Sequence, residues 1–447
     1  MRCTQLQVQH LLLRAGFGDS CEKVKQYTGS KPAQIFESEL KSCATFREVH
    51  VDMDFTNPYT NNQMNQVDRQ MMAQKGRNAV KELNTLWIKE MVSASSGLRE
   101  KMAFFWHDHF ACRSQNPIFM QGYLDVIRGQ ALGNFGDLLR AVSKSPAMLQ
   151  YLNNQQNKKT APNENFAREV MELFTLGRDQ GYTEKDISEA ARAFTGWGFR
   201  KGVFMERPYF HDDGIKTIMG KSGNFNGDDV LNLLLENKRT AKYIAEKWVR
   251  YFVHPSGNTK LEIKVADELY STNYDIKRGL QIMFMSEVFY AKKNIGVRIK
   301  SPIELIVSVQ RQLHVQIEDQ NSLIFLQRML GQILFDPPNV SGWPDGKDWV
   351  DSATLMFRMN LPKLIFRAAL IQSELAGSFD DNDKFKMAGK LKKLRSNIDF
   401  DRLSDEFEDL DQLNSYLLQV NSISKTTGNS LIDQIVDITS KPEFQLC

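Results

Sequence analysis

The stretch LREKMAFFWHDHFACR, Leu98 to Arg113, sets three charged residues ahead of an aromatic run that carries two histidines and an aspartate. Its apolar residues recur at helical spacing from Leu98 to Phe110, which predicts a helix, and the SQNP after Arg113 is a turn signal. Successive helical residues advance by about 100°, so His107 and His109 lie roughly 200° apart and cannot share one metal ion while both are helical. Shared ligation requires the helix to end near Trp106. Otherwise one ring is a buried, hydrogen-bonded histidine and the other lies at the surface.

The same periodicity extends in both directions. Leu6, Val8, Leu11, Leu12 and Leu13 open it, and Gln66 to Ser93 continues it. Further helices are expected near 119–133, 136–143, 163–176, 183–196, 227–236, 239–253, 259–271, 275–285, 301–313, 321–333, 351–373, 403–420 and 428–439. The fold class is therefore all-α, a multi-helix, bundle-like array. One irregular insertion interrupts it near 198–226, within GWGFRKGVFMERPYFHDDGIKTIMGKSGNFNG, which holds seven glycines. There the β-prone pieces Val203 to Phe210 and Ile215 to Met219, joined by HDDG, predict one small hairpin.

Two polar stretches, DFTNPYTNNQMN near residue 54 and NNQQNKKTAPNEN near residue 153, read as surface connections. Segments 136–149, 274–290 and 432–446 each show a short helix closed by a Ser-containing turn, through shared capping chemistry or through duplication. After Ser373 the composition turns polar and strongly charged. Residues 1–373 are expected to form the main helical domain, and 374–447 a charged linker with a C-terminal helical hairpin packed on that domain.

Composition excludes little else. The 447 residues are 42% apolar and 25% charged, with a net charge of +3, too small by itself to imply a nucleic-acid or membrane partner. The basic run KLKKLR at 390–395 lacks interleaved aromatics, so nucleic-acid binding is not supported. No apolar run approaches the roughly 20 residues of a membrane span, and MRCTQLQVQHLLLRAG reads as an amphipathic helix with no signal peptide visible. Five cysteines without CxxC spacing argue against a disulfide framework and a structural zinc site, making a reducing, cytoplasmic compartment the default.

Three further stretches could carry chemistry. In NENFAREVMELFTLG, Asn165, Glu169 and Glu172 share one helical face; paired carboxylates repel unless a cation or proton intervenes, and Arg168 and Lys159 are near enough to neutralise them. In the next helix Thr183 and Asp186 form an approximate capping box, and Arg192 could reach a carboxylate of the neighbouring helix, Glu169 among them. FHDDG places His211, Asp212 and Asp213 on a loop, as ligands or as an ordinary Asp-Gly turn. FDPPNVSGWPDGKDW, Phe335 to Trp349, is a rigid excursion whose Trp343 and Trp349 could stack on a sugar ring or plug a groove between helices. The phosphate-binding loop, the serine elbow, the HExxH zinc motif and the dinucleotide fingerprint are all missing.

Taken together, HLLLRAGFG, WHDHF, NENFAREVMELFTLG with GYTEKDI, ARAFTGWGF, FHDDGIKTIMG and DPPNVSGWPDGKDW resemble the bacterial domain of unknown function 1800 family, in order from about residue 8 to about residue 370. The resemblance implies a largely helical protein, relatives that are often exported and a sulfatase-like partner. It points to His107, His109, Glu169, Glu172, His211, Gly342 and Trp343 as motif positions. One departure stands out: family members often read ELHTLG where Glu172 to Gly177 reads ELFTLG, so Phe174 replaces a histidine that activity in relatives could need.

Two functions fit. In the first, His107, His109 and His211 hold one divalent metal ion, Glu169 and Glu172 act on the substrate, and Arg192, Trp197 and Trp343 bind and enclose it, giving metal-dependent hydrolysis of a glycan or ester. In the second, the same polar residues are buried networks that fix helix packing in a non-catalytic binding or assembly protein for a polysaccharide or protein partner.

Overall fold

The computed structural model describes residues 1–52, 65–366, 396–407 and 409–447, which form a mostly helical protein. The DFTNPYTNNQMN connection lies largely outside the described residues, as do the end of the helix expected at 351–373, the charged stretch after Ser373 and its KLKKLR run.

The Leu98–His109 helix is central, and all of it is buried except the half-buried Asp108. A helix enclosed on every side must satisfy its charges internally. Glu100 accepts both Nε and Nη2 of Arg128 at 2.8 Å and the indole Nε1 of Trp87 at 2.8 Å. Arg99 donates to the carbonyls of Cys43 and Arg128, and Lys101 pairs with Glu304. The Gln66–Ser93, Pro117–Gly129 and Pro302–Gln312 helices surround it, the last buried along its whole length.

Three helices are absent from the periodicity reading, Cys21–Tyr27, Pro32–Ser42 and Pro146–Tyr151; the first is capped by Ser20 and the other two start on a proline. The echoed segments fold alike. Phe135–Ser143, Ile276–Phe284 and Leu431–Thr439 are each 9 residues long, are capped by Asn134, Asp275 and Ser430, and end on a residue still near helical φ and ψ.

The glycine-rich insertion departs from expectation. It holds two hairpins: β1 (Trp197–Arg200) pairs with β2 (Val203–Glu206), and β3 (Lys216–Ile218) pairs with β4 (Lys221–Gly223), both antiparallel. Their turns are Lys201-Gly202, at φ 51° and 78°, and Met219-Gly220, at φ 47° and 79°. Two successive left-handed residues match the twist of a two-residue hairpin, so the glycine of each pair sets the turn. HDDG instead joins the two hairpins.

Among the described C-terminal residues, Phe400–Glu406 and Leu410–Leu417 occupy the stretch expected as one helix at 403–420, and Leu431–Thr439 that expected at 428–439. A strand, β6 (Ser396–Ile398), pairs antiparallel with β5 (Val315–Ile317) from the main body. Gln9 donates to the Ser415 carbonyl, and Lys300 N–H to that of Gln445, so the last residues lock against the first helix and the core. All five cysteines are buried free thiols, and no helix among the described residues is long and apolar enough to cross a membrane.

Candidate functional site

His107, Asp108 and His109 stay helical, with the helix capped at Phe110, so the two rings diverge. His107 Nε2 accepts the backbone N–H of Phe335 at 3.0 Å, which leaves the proton on Nδ1 facing the Tyr123 hydroxyl at 3.4 Å; that hydroxyl donates to the Phe110 carbonyl at 2.7 Å. Burial pushes the ring down to about 3, so it remains neutral. Phe335 is held at a left-handed φ of 67° and stacks on Trp87, a strained backbone kept in place by packing and by this bond.

His109 is also engaged at both nitrogens. Nε2 lies 3.1 Å from the Phe174 carbonyl, to which it must donate, and Nδ1 faces the Lys247 ammonium at 3.1 Å. Burial first, and then the Lys247 charge, keep this ring well below its ordinary value. The bond to Phe174 depends on local backbone. Asn165–Glu169 is α-helical and Val170–Thr175 widens into a π turn with Leu176 N–H on the Met171 carbonyl; the helix ends at Leu176, so the Phe174 carbonyl is among its last, without an intrahelical donor, and meets His109. The Phe174 side chain packs on the Phe110 ring at 5.1 Å and the His109 ring at 6.2 Å.

Asp108 points the other way. Its Oδ1 accepts the backbone N–H of Trp343 at 2.9 Å. Gly342 is at φ 88°, and a Cβ there would sit 2.3 Å from Asp108 Oδ1 and 2.8 Å from its carbonyl oxygen, so only glycine fits. The Gly-Trp pair is thus the clasp of the HDH turn. Burial raises the Asp108 carboxyl to about 6, against the lowering effects of the Trp343 N–H and the Lys247 charge. Lys247 is pushed down by burial and partly restored by Asp108. Lys247 was invisible in the sequence, one lysine among several on an amphipathic helix, Lys238–Phe252; its role comes only from what it faces.

The other expected residues lie elsewhere. Glu172 pairs with Arg168 at 3.4 Å and Arg178 at 3.8 Å, while Glu169 is raised by burial and by Glu172. Arg192 does not reach Glu169. It forks onto Asp212, Nε to Oδ2 at 2.8 Å and Nη2 to Oδ1 at 3.1 Å, and also binds Glu189 on its own helix. The Arg192 guanidinium holds Asp212 down to about 2. His211 Nδ1 donates to the Thr195 carbonyl at 2.9 Å. The capping box of Thr183 and Asp186 forms as expected.

Trp197 is no pocket wall; it is 2% exposed, packed against Phe166, Phe194 and Phe204. Trp343 and Trp349 are 8% and 5% exposed, so the Pro-Trp excursion is a plug and offers no platform for sugars. Among the described residues no three His, Cys, Asp or Glu side chains converge as a metal centre, so His107, His109 and His211 do not form the ligand set expected of them. The lone pair on His107 Nε2 already takes an N–H, and that on His109 Nδ1 faces an ammonium.

The structure therefore joins SGW to WHDHF through Asp108, and ELFTLG and Lys247 to WHDHF through His109, with the Lys247 charge felt at the Asp108 carboxyl but not paired with it. No curated protein and no solved structure matches the chain. The model of the family described as "Protein of unknown function (DUF1800)" matches residues 10–446, past the last motif legible near residue 370, and the chain belongs to that family.

Proposed function

We propose that the chain is a hydrolase for an ester bond, including an ester carried on a glycan, working at the Asp108–His109–Lys247 cluster. The observation that supports it is Asp108: half-buried, clasped by Trp343, raised to about 6 by burial, and within the field of Lys247, which His109 holds. At neutral pH such a carboxylate is a base matched to water, and the neighbouring ammonium can receive the negative charge that develops on the attacked carbonyl oxygen. His109 acts as a positioning residue, holding Lys247 through Nδ1 while Phe174 fixes its ring through Nε2. The test is hydrolysis of p-nitrophenyl esters and acetylated oligosaccharides by the full chain. Asp108→Asn should lower kcat/KM by about 10²–10⁴-fold with little change in KM; an Asp108→Asn variant as active as the parent would end this reading.

A second reading has its own support. Glu172, Arg192 and Trp197, three motif residues, are engaged in ion pairs or core packing. A binding or assembly protein, for instance one that acts with a sulfatase-like partner, needs such residues only as architecture. It expects Glu172→Gln to lower Tm and leave every catalytic readout flat, whereas a lost turnover at unchanged Tm favours the enzyme.

A further inference from the structure

Away from the HDH turn, five buried cations, Arg14, Lys101, Arg298, Lys300 and Arg358, each 2% exposed or less, share the opposite charges of Glu304 and Cys447; Lys101 and Arg298 bond Glu304, and the other three feel it without pairing. They come from four places in the chain. Arg14 closes the Gln5–Ala15 helix, Lys101 lies on Leu98–His109, Arg358 on Ser352–Phe366, and Arg298 and Lys300 on the extended segment that bonds to Gln445 and Cys447. Glu304 cannot serve them all. Its Oε1 already takes Lys101, Arg298 Nη1 at 2.7 Å and the Tyr251 hydroxyl at 3.3 Å, and its Oε2 takes the Ser301 N–H at 2.8 Å.

The donors left over are all N–H groups. Arg14 gives Nη2 to the Asn294 carbonyl and leaves Nε and Nη1 without partners. Arg358 gives Nη1 to the Lys300 carbonyl and Gln445 Oε1, leaving Nε and Nη2. Arg298 Nε and Gln445 Nε2 are also unpartnered. Each such group costs on the order of 1–3 kcal/mol when buried, and a guanidinium cannot shed its proton to escape.

We infer that the unpartnered guanidinium donors of Arg14, Arg298 and Arg358 hold a small oxyanion of the phosphate type beside Glu304. A tetrahedral oxyanion accepts several N–H bonds at once and matches the planar fork of arginine. Because the three side chains are sealed from solvent, the ligand is a free inorganic ion, not a phosphate carried on a macromolecule or lipid. Burial also depresses Lys300 to about 8, against the opposing charges of Cys447 and Glu304, and Arg358 to about 10, against that of Glu304.

The experiment uses the full chain purified without phosphate or sulfate. Ion chromatography of the anions released on denaturation, and Tm titrated with inorganic phosphate against chloride at equal ionic strength, are the two readouts. The proposal expects either about one oxyanion released per chain or a saturable Tm rise of a few degrees with phosphate alone. Arg14→Met should flatten the titration, and where it does not fold the parent's two readouts decide. No released oxyanion together with equal Tm in phosphate and chloride would overturn the site, as would a folded Arg14→Met chain that still responds to phosphate.

Discussion

At the scale of single residues, Asp108 ties stability to chemistry. Its carboxyl is raised from an ordinary value near 4 to about 6, so the folded chain binds that proton more tightly than the unfolded one. Stability then falls as pH rises from about 4 to about 6. Asp108→Asn keeps an oxygen for the Trp343 N–H but removes the charge, so it should raise stability at pH 7 by about 1–3 kcal/mol and flatten that segment of the pH profile. Denaturant melts across pH would show it; an unchanged profile would mean that Asp108 is better solvated than its surroundings suggest. His107 acts in the opposite sense: neutral when folded and down at about 3, it contributes stability above about 6.5 that is lost as pH falls toward 3. Gly342→Ala places a Cβ against Asp108 at a left-handed φ and should cost about 2–4 kcal/mol, read from the same melts. The sequence displayed HDH and Gly-Trp as unusual, yet nothing in it said that they touch, because they are separated by over two hundred residues.

At the scale of elements, the π turn at Val170–Thr175 and the joint between the two hairpins decide which motif residues meet. An α-helical reading of Asn165, Glu169 and Glu172 places the carboxylates on one face, but not the π turn that ends at Leu176 and leaves the Phe174 carbonyl, one of the last of the helix, to His109. Phe174→His places a second imidazole beside His109. Under the hydrolase reading it should raise ester turnover several-fold without a large loss of Tm, and a purely destabilised, inactive variant would count against a catalytic role for that position. The hairpin joint rests on Arg192 and Asp212. Asp212, held at about 2 by Arg192, contributes above about pH 4 a stability that is lost as pH falls toward 2. Asp212→Asn should cost about 1–2 kcal/mol at pH 7 and little at pH 2, a difference measurable by thermal melts. Lys201-Gly202 and Met219-Gly220 were legible as turn material; HDDG drew the reading away because Asp-Gly is the stronger local signal.

At the scale of the whole molecule, buried ion pairs bind the Leu98–His109 helix to two others, through Arg128 to Glu100 and Lys101 to Glu304. Glu304→Gln would leave its cations uncompensated and should cost about 3–5 kcal/mol, well above a typical surface change. Helix content and the place of the irregular insertion followed from the 447 residues themselves, since apolar spacing and glycine clustering are local properties that neighbouring residues impose. The pairing of β5 with β6, the docking of Gln9 on Ser415 and the meetings of Asp108 with Trp343 and of His109 with Lys247 were decided by the tertiary structure alone. A side chain's partners depend on which helices pack together, and burial, which sets both the raised carboxyl of Asp108 and the excess charge around Glu304, exists only once the chain has closed around them.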